Sequence, residues 1–336
     1  MALAPAPRTA LRTLVSAATL LALALSATSA GAALIVYDPF SHDGGPSDYL
    51  LGDESTGVNV IGGQNPTPQP TPFYAGGWIQ SGGDAQAVAP GSLVYPLFPN
   101  AGGRVTDAVQ FNCCSFGRSA REIAGGLGAT REARTIYQSF LVDFGGQGTD
   151  DPSQFGKRAV EWYNGGIGDP ALAVDLFVNH FSGVHDLTLE VTTPSGTTSA
   201  LLGGGGLDLE ALAGTHLVVM KFEFRPVNAA NPFTPADDDV VTVYLDPTDS
   251  IEANWAPAAS IAVELSDLQI THHSASTSFT FSGGGHLPAS FDELRWGDTF
   301  ADVTPFVPEP GTLTMIGIGV AGLAARRRGA RSGDAR

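Results

Sequence analysis

Two neighbouring carboxylates, Asp292 and Glu293, are the first residues of this sequence that could do chemistry on a sugar. Retaining glycosidases hold two carboxyl groups about 5 Å apart on one side of the glycosidic bond. Adjacent residues of a β-strand point to opposite faces of the sheet, so this pair is not expected to act on one substrate. We expect one carboxylate to pair with Arg295 and the other to face solvent.

Three consecutive aspartates, Asp237, Asp238 and Asp239, are the candidate metal ligands. Ca²⁺ prefers several carboxylate oxygens, and a strongly acidic protein attracts cations. The same residues also fit the polar end of the loop 228–236 before a strand, and the spacing and glycine of an EF-hand loop are missing. Calcium at these aspartates therefore stays open as the one cofactor hypothesis.

Motifs for nucleophilic and metal-dependent hydrolysis are missing from the sequence. No Gly-x-Ser-x-Gly elbow and no His-Glu-x-x-His pair occurs. His272 and His273 are neighbours and are expected to face apart on a strand. Cys113 and Cys114 are also adjacent and cannot join distant segments. They are two small half-buried side chains, a strained vicinal disulfide or, the least favoured alternative, part of a metal site that lacks a second Cys cluster. The sequence therefore predicts no catalytic residues.

The charge of the central segment, residues 33–304, excludes one class of partner. This segment contains 10 basic and 32 acidic residues, a formal net charge of −22, against −17 for the whole chain. Nucleic-acid affinity arises mainly from Lys and Arg side chains that displace counterions from phosphates. We therefore expect no nucleic-acid binding and a surface suited to solubility outside the cell.

Alternation of apolar and polar residues predicts the strands that must position these side chains. In the segment 216–224, one face carries Val218, Met220, Phe222 and Phe224, and the other carries Leu217, Val219, Lys221 and Glu223. A second strand is predicted at 239–245. Further strands are predicted at 34–37, 105–111, 135–142, 159–163, 173–179, 187–192, 197–202, 260–263, 278–281 and 291–296.

No amphipathic helix of about 15 residues occurs between the two ends, and glycine (42) and proline (23) are abundant. Many short strands without crossover helices pair antiparallel. The sequence therefore predicts an all-β fold, an antiparallel β-sandwich or jelly roll, as one domain over residues 33–304. Trp78, Trp162 and Trp255 could stack on sugar rings, although tryptophan more often packs in a core.

The first residues of the chain predict a secretory signal peptide over residues 1–32. Arg8 and Arg12 precede the apolar run 14–25, which is too short for a stable membrane span. Cleavage is expected after one of three alanines, with the second favoured: Ala30, Ala32 or Ala33. An uncleaved anchor is the alternative.

Three features follow one another in residues 305–331. The motif Pro308-Glu309-Pro310 breaks the chain before the 15-residue apolar stretch 311–325. A helix of that length measures about 22 Å, a marginal span for a hydrocarbon core of about 30 Å. The basic cluster that follows is expected on the cytoplasmic side: Arg326, Arg327 and Arg328. This order predicts a short transmembrane helix that holds the exported domain temporarily at the inner membrane.

These three features resemble the C-termini of the PEP-CTERM proteins of Gram-negative bacteria. The resemblance implies recognition of Pro308, Glu309 and Pro310 by a membrane-embedded exosortase, which cleaves near this motif. It also implies delivery to the outer surface or to the extracellular polysaccharide matrix. The alternative is an ordinary single-pass anchor with a chance Pro-Glu-Pro.

The central domain resembles the concanavalin A/laminin-G-like sandwich domains often found before PEP-CTERM tails. The matching pieces are 36–40, 91–96, 215–219, 241–247 and 291–297. The resemblance implies a lectin-like jelly roll of two curved antiparallel sheets, which does not by itself imply sugar binding. Laminarinase-type members carry a Glu-x-Asp-x-x-Glu strand, whereas no Glu of this sequence has an Asp two positions later.

The sequence therefore favours a non-catalytic surface or matrix protein whose sandwich binds polysaccharide. A carbohydrate-active enzyme, a glycoside hydrolase or lyase with carboxylates assembled from distant strands, is the first alternative. A purely structural protein without a ligand is the second.

Overall fold

Short alternating segments of the chain pair into two antiparallel sheets, as the sequence predicts. The eight-stranded sheet has the order β13-β12-β11-β6-β15-β4-β3, with β1 added on β15. Its strands are β1 (Leu34–Asp38), β3 (Gln86–Pro90), β4 (Gly103–Asp107), β6 (Arg134–Asp143), β11 (Thr215–Phe224), β12 (Asp239–Leu245), β13 (Ala259–Val263) and β15 (Ser290–Gly297).

The seven-stranded sheet has the order β10-β9-β8-β7-β14-β5-β2. Its strands are β2 (Ile79–Gly82), β5 (Phe116–Leu127), β7 (Lys157–Gly166), β8 (Asp169–Phe181), β9 (Val184–Thr193), β10 (Gly196–Leu201) and β14 (Ile270–Phe279). Each strand of both sheets pairs antiparallel with its neighbours, which confirms the predicted fold class.

The computed structural model describes part of the chain, all of it within the unit Leu34–Arg336. The described residues are 34–42, 48–51, 61, 63–66, 73–82, 86–99, 102–107, 116–128, 133–143, 157–166, 169–181, 184–204, 214–225, 238–263, 268–279 and 290–306. Outside them lie the predicted signal peptide, the tail from residue 307, Cys113, Cys114 and Asp237. No helix among these residues is long and apolar enough to cross a membrane.

The main core lies between the two sheets. Trp162 of β7 packs with its ring centroid 6.3 Å from Phe140 of β6 and 5.5 Å from Phe222 of β11. The predicted inner face of β11 is confirmed, because Val218, Met220, Phe222 and Phe224 all belong to this core. Burial of such side chains supplies most of the driving force for packing the sheets together.

A second core covers the outer face of the eight-stranded sheet. Leu217 and Val219 of β11 pack there against Tyr244, against loop residues 93–98 and against the short helix α1 (Phe300–Val303). A capping box between Thr299 and Asp302 begins this helix. Since loops cover this face, the first half of β11 is buried on both sides.

The strand prediction missed β2, β3 and β5 and found only the end of β14. The segment β5 contains Gly125 and Gly126, both with positive φ, and its pairing with β14 has two register shifts. Irregularities of this kind interrupt the period-2 pattern on which the prediction depends.

Candidate functional site

Three carboxylates lie side by side across the middle of the seven-stranded sheet. Glu161 of β7 is directly opposite Asp175 of β8, and Asp175 is directly opposite Glu190 of β9. Opposed residues of antiparallel strands share a face, with Cβ atoms about 5 Å apart. We call Glu161, Asp175 and Glu190 the carboxylate row.

Local alternation turns the carboxylate row away from the main core. Val160 and Trp162 of β7 belong to that core, so Glu161 between them points to the outer face. Glu161 and Asp175 are almost fully buried, whereas Glu190 is partly exposed. The row therefore runs from a buried pair to an accessible end.

An aromatic pair lies beside the buried end of the row. Tyr163 of β7 is opposite His272 of β14, and their rings stack with centroids 4.9 Å apart and planes 3° from parallel. Burial lowers the pKa of His272, although the charge of the facing Glu122 acts in the opposite direction. His272 is therefore neutral at pH 7.

Hydroxyl groups continue the accessible end of the row onto β10. Ser199 lies directly opposite Glu190, and the hydroxyls of Thr192 and Thr197 are 3.1 Å apart. Carboxylates accept hydrogen bonds and hydroxyls both donate and accept them. Glu190 and these hydroxyls form a surface chemically suited to the hydroxyl groups of a sugar chain.

The expectation for Asp292 and Glu293 is half right. Glu293 accepts a hydrogen bond from Arg295 at 2.9 Å, but neither carboxylate faces solvent, because both side chains are buried. The pairing of β15 shifts register after Asp292, and Glu293 has φ of 55°. This bulge brings both acids into the protein, which period-2 alternation alone does not predict.

Asp292 is held by backbone groups. Its carboxyl oxygens accept hydrogen bonds from the backbone N–H of Leu93 and of Glu293, each at 2.8 Å. Burial, followed by the negative charge of Glu293, raises the pKa of Asp292 to about 9. Asp292 is therefore a protonated structural acid at neutral pH.

The predicted metal ligands are partly described. Asp239 accepts hydrogen bonds from the backbone N–H of Arg225 at 2.6 Å and of Leu268 at 3.0 Å, so its carboxylate fixes two chain segments beside β12. No group of three metal-ligating side chains is found among the described residues. Because Asp237 lies outside them, calcium at Asp237, Asp238 and Asp239 stays a prediction.

The neighbouring histidines do face apart. His273 is buried in the main core between Trp162 and Trp296, with ring centroids 5.8 and 5.9 Å away. Burial, with the nearby positive charge of Arg121, lowers the pKa of His273 to about 3. His273 therefore stays neutral in the folded protein, while His272 reaches the outer face.

The tryptophans considered for sugar stacking differ in exposure. Trp78 and Trp162 are buried in the main core and unavailable to a ligand. Trp255 is partly buried, and its indole N–H donates to Asp249 at 3.2 Å. It packs against the second core, on the sheet opposite the carboxylate row.

Sequence reasoning missed the carboxylate row, although it predicted all three strands that carry it. Each acid occupies a polar position between apolar neighbours in 159–163, 173–179 or 187–192. This alternation indicates that each acid lies on the sheet face opposite the core, and it was the signal available in the sequence. Which acids face one another depends on strand register, which a motif confined to one strand does not contain.

Comparison with protein families identifies the C-terminus. Residues 306–328 match the PEP-CTERM protein-sorting motif. The chain carries a PEP-CTERM sorting signal. This match contains Pro308-Glu309-Pro310, the apolar stretch 311–325 and Arg326-Arg327-Arg328. The motif implies an exported protein that is sorted in association with a membrane and processed by an exosortase, which confirms the predicted resemblance of the C-terminus.

Comparison with solved structures concerns the central sandwich. An endo-β-1,4-glucuronan lyase from the fungus Trichoderma reesei matches with 12% identity and a TM-score of 0.41, over 66% of this chain and 90% of that one. An alginate lyase from a Chlorella virus matches with 11% identity and a TM-score of 0.42, over 63% and 88%. An endo-1,3-β-glucanase from Streptomyces sioyaensis matches with 12% identity and a TM-score of 0.42, over 80% and 96%. Among curated proteins, no sequence matches this chain significantly.

Proposed function

We propose that this protein is a non-catalytic component of the cell surface or extracellular matrix of a Gram-negative bacterium, and that its sandwich binds polysaccharide. The sorting motif supports the destination. Glu190, the accessible end of the carboxylate row, supports the binding, because it places a hydrogen-bond acceptor beside the hydroxyls of β9 and β10 on one sheet face. A fold alone does not specify a ligand, so the proposal depends on the side chains of this sheet face.

The charge of the domain narrows the class of polysaccharide. Residues 33–304 carry a formal net charge of −22, which repels acidic polymers over about one Debye length. A polymer rich in hydroxyl groups and poor in carboxylate or sulfate fits this surface. The proposed ligand is therefore a neutral glycan of the matrix.

Retention of the full chain on immobilised matrix polysaccharide tests the binding. We expect E190Q to weaken retention, since it removes the accessible carboxylate of the row. The matched control E223Q changes a partly buried glutamate that pairs with Lys221 on the other sheet, and it should bind like wild type. No retention on any neutral polymer, or equal losses in both variants, would reject the proposal.

A carbohydrate-active enzyme is the second candidate, and one observation favours it. Glu161 and Asp175 are directly opposed on one face, and cross-strand spacing is close to the 5–5.5 Å that separates the carboxyl groups of retaining glycosidases. In this role one carboxylate displaces the leaving sugar at the anomeric carbon, while the other donates a proton to the leaving oxygen and then activates water. This role also requires that the polymer reach a pair that is almost fully buried in this structure. The two carboxylates come from two different strands. The absence of the Glu-x-Asp-x-x-Glu motif, which lies on a single strand, therefore does not argue against this role.

Product release separates the two candidates. If the pair is catalytic, the full chain releases new sugar ends from matrix polymer or β-glucans, E161Q abolishes the release, and E223Q retains it. If neither substrate yields new sugar ends and the chain still retains the polymer, the result supports the non-catalytic binding protein.

Mass spectrometry of the protein from its native host tests the sorting. We expect a mature C-terminus near Pro308-Glu309-Pro310 and an N-terminus after Ala30, Ala32 or Ala33. Replacing both prolines, P308A with P310A, should leave Arg336 attached. Recovery of wild-type protein with Arg336 intact would contradict processing.

A further inference from the structure

The last described residues of the chain are fixed on the second core. The ring of Phe306 contacts Phe98 with centroids 5.8 Å apart, and its backbone N–H donates to Thr304 at 2.8 Å. The side chain of Ser250 donates to the carbonyl oxygen of Thr304, which is buried. The folded domain therefore extends to Phe306, the first residue of the sorting motif.

Phe306 and Gly311, where the apolar stretch 311–325 begins, are five residue steps apart, with four residues (307–310) between them. A fully extended chain spans at most about 3.5 Å per residue, so this tether is at most about 17 Å long. While the tail is inserted, the protein surface around Phe306 must stay within that distance of the bilayer.

Three exposed apolar side chains lie in the two segments that hold this point, 93–98 and 249–251. Leu97 (43% exposed) precedes Phe98, and Ile251 (58%) follows Ser250. Val94 (69%) lies in the same loop, whose turn is closed by a hydrogen bond from Phe98 to Tyr95. We call Val94, Leu97 and Ile251 the exit face. They are three of the seven large apolar side chains exposed among the described residues.

We propose that the exit face rests on the lipid bilayer while the tail is inserted, an inference that rests on the proposed membrane stage of sorting. Three side chains bury too little area for strong free binding. A short tether, however, gives a millimolar effective concentration, so a weak contact is populated. Val, Leu and Ile enter the boundary between head groups and acyl chains, as apolar faces of interfacial segments do.

Charge selects the type of bilayer. Asp249 accepts hydrogen bonds from Ile251 and Asn254 beside the exit face, and these bonds lower its pKa, so it is ionised at neutral pH. The domain as a whole is strongly negative. Anionic lipid therefore opposes the contact, and a zwitterionic surface favours it.

Hydrogen exchange on the full chain tests this contact. The exported chain is purified from a host without exosortase and reconstituted with phosphatidylcholine vesicles, and flotation reports whether the tail is inserted. We expect backbone amides in 93–99 and 249–256 to exchange several-fold more slowly than in the chain released from its tail. The β9–β10 hairpin, residues 189–200, is the internal control and should not change.

Surface variants make the test specific. V94S/L97S/I251S should still float with the vesicles but lose the protection, whereas the control L50S/I79S/L201S, which changes exposed apolar residues elsewhere, should keep it. Weaker protection in vesicles containing phosphatidylglycerol would agree with the charge argument.

Three outcomes overturn the inference. They are flotation without protection, protection that survives in the exit-face variant, and protection that appears only when exosortase is added, which would assign this face to the enzyme. A chain that does not float would instead refute the membrane stage itself, and the inference with it.

Discussion

Arg121 shows how a single residue can join distant segments of this protein. Its guanidinium donates to the carbonyl oxygens of Gly76 at 3.1 Å and Pro66 at 3.0 Å, and it pairs with Asp38 at 3.4 Å. It also lies over the ring of Tyr74, 4.4 Å from the centroid. The side chain is 1% exposed, so these groups replace the water it loses on burial.

Replacing Arg121 with lysine should destabilise the protein despite the retained charge. A lysine ammonium has three donors at one point and cannot reproduce the planar set of contacts. We expect R121K to lower the free energy of unfolding by about 2 kcal/mol or more, since buried acceptors lose partners. Chemical denaturation measures this. The control R104K, at a partly exposed arginine that donates to the carbonyl oxygen of Gly91, should cost well below 1 kcal/mol.

Asp292 predicts a pH dependence of stability that is unusual for a carboxylate. Its pKa is raised to about 9 in the folded protein, chiefly by burial, while an unfolded Asp titrates near pH 4. Between these values the folded state binds the extra proton, so raising the pH lowers the free energy of unfolding.

The variant D292N removes this titration. The difference in unfolding free energy, D292N minus wild type, should therefore increase as pH rises from about 5 to 8. Denaturation at several pH values measures it. A difference that is flat or falls with pH would show that Asp292 is ionised in the folded protein.

At the scale of elements, strand ends depend on close backbone packing. Gly128, directly after β5, has φ of 77°. A Cβ atom there would lie 2.7 Å from the Phe224 ring and would also collide with the carbonyl oxygen of Leu268. Gly125, within β5, has φ of 75° but open space around it.

These two glycines provide a matched pair. G125A carries only the cost of the left-handed conformation, about 1–2 kcal/mol. G128A adds a clash with backbone, and we expect a further loss of about 1–3 kcal/mol in unfolding free energy. Thermal or chemical unfolding of both variants compares them. Equal losses would show that the packing at the end of β5 is looser than described.

Elements with a clean alternating pattern were predictable, and irregular ones were not. The strand 239–245 coincides with β12, and 216–224 falls within β11, because one face of each is continuously apolar. In β5 the polar and glycine-rich sequence conceals a strand that its neighbours β14 and β2 complete. Hydrogen bonding and packing with these neighbouring strands stabilise β5 although its own residues have low strand propensity.

At the scale of the whole molecule, charge should control stability. The central segment carries a formal net charge of −22, and this self-repulsion opposes the compact state. Raising the salt concentration from about 10 mM to about 0.5 M at pH 7 screens the repulsion, so we expect a higher Tm. Near pH 4 many carboxylates are protonated, and the same salt change should have a smaller effect. A Tm that falls with salt at pH 7 would contradict this.

The sequence by itself determined the sorting signal and the class of fold. The sorting signal consists of a Pro-Glu-Pro break, an apolar stretch and an arginine cluster that follow one another along the chain. It can therefore be recognised from the sequence without knowledge of the fold. Alternation likewise reports which residues of a strand share a face. Only the tertiary structure decided that Glu161, Asp175 and Glu190 stand opposite one another, that Asp292 is buried at a bulge, and that Phe306 is fixed against Phe98. Register, bulges and loop packing join residues far apart in the chain, and no local pattern encodes those distances.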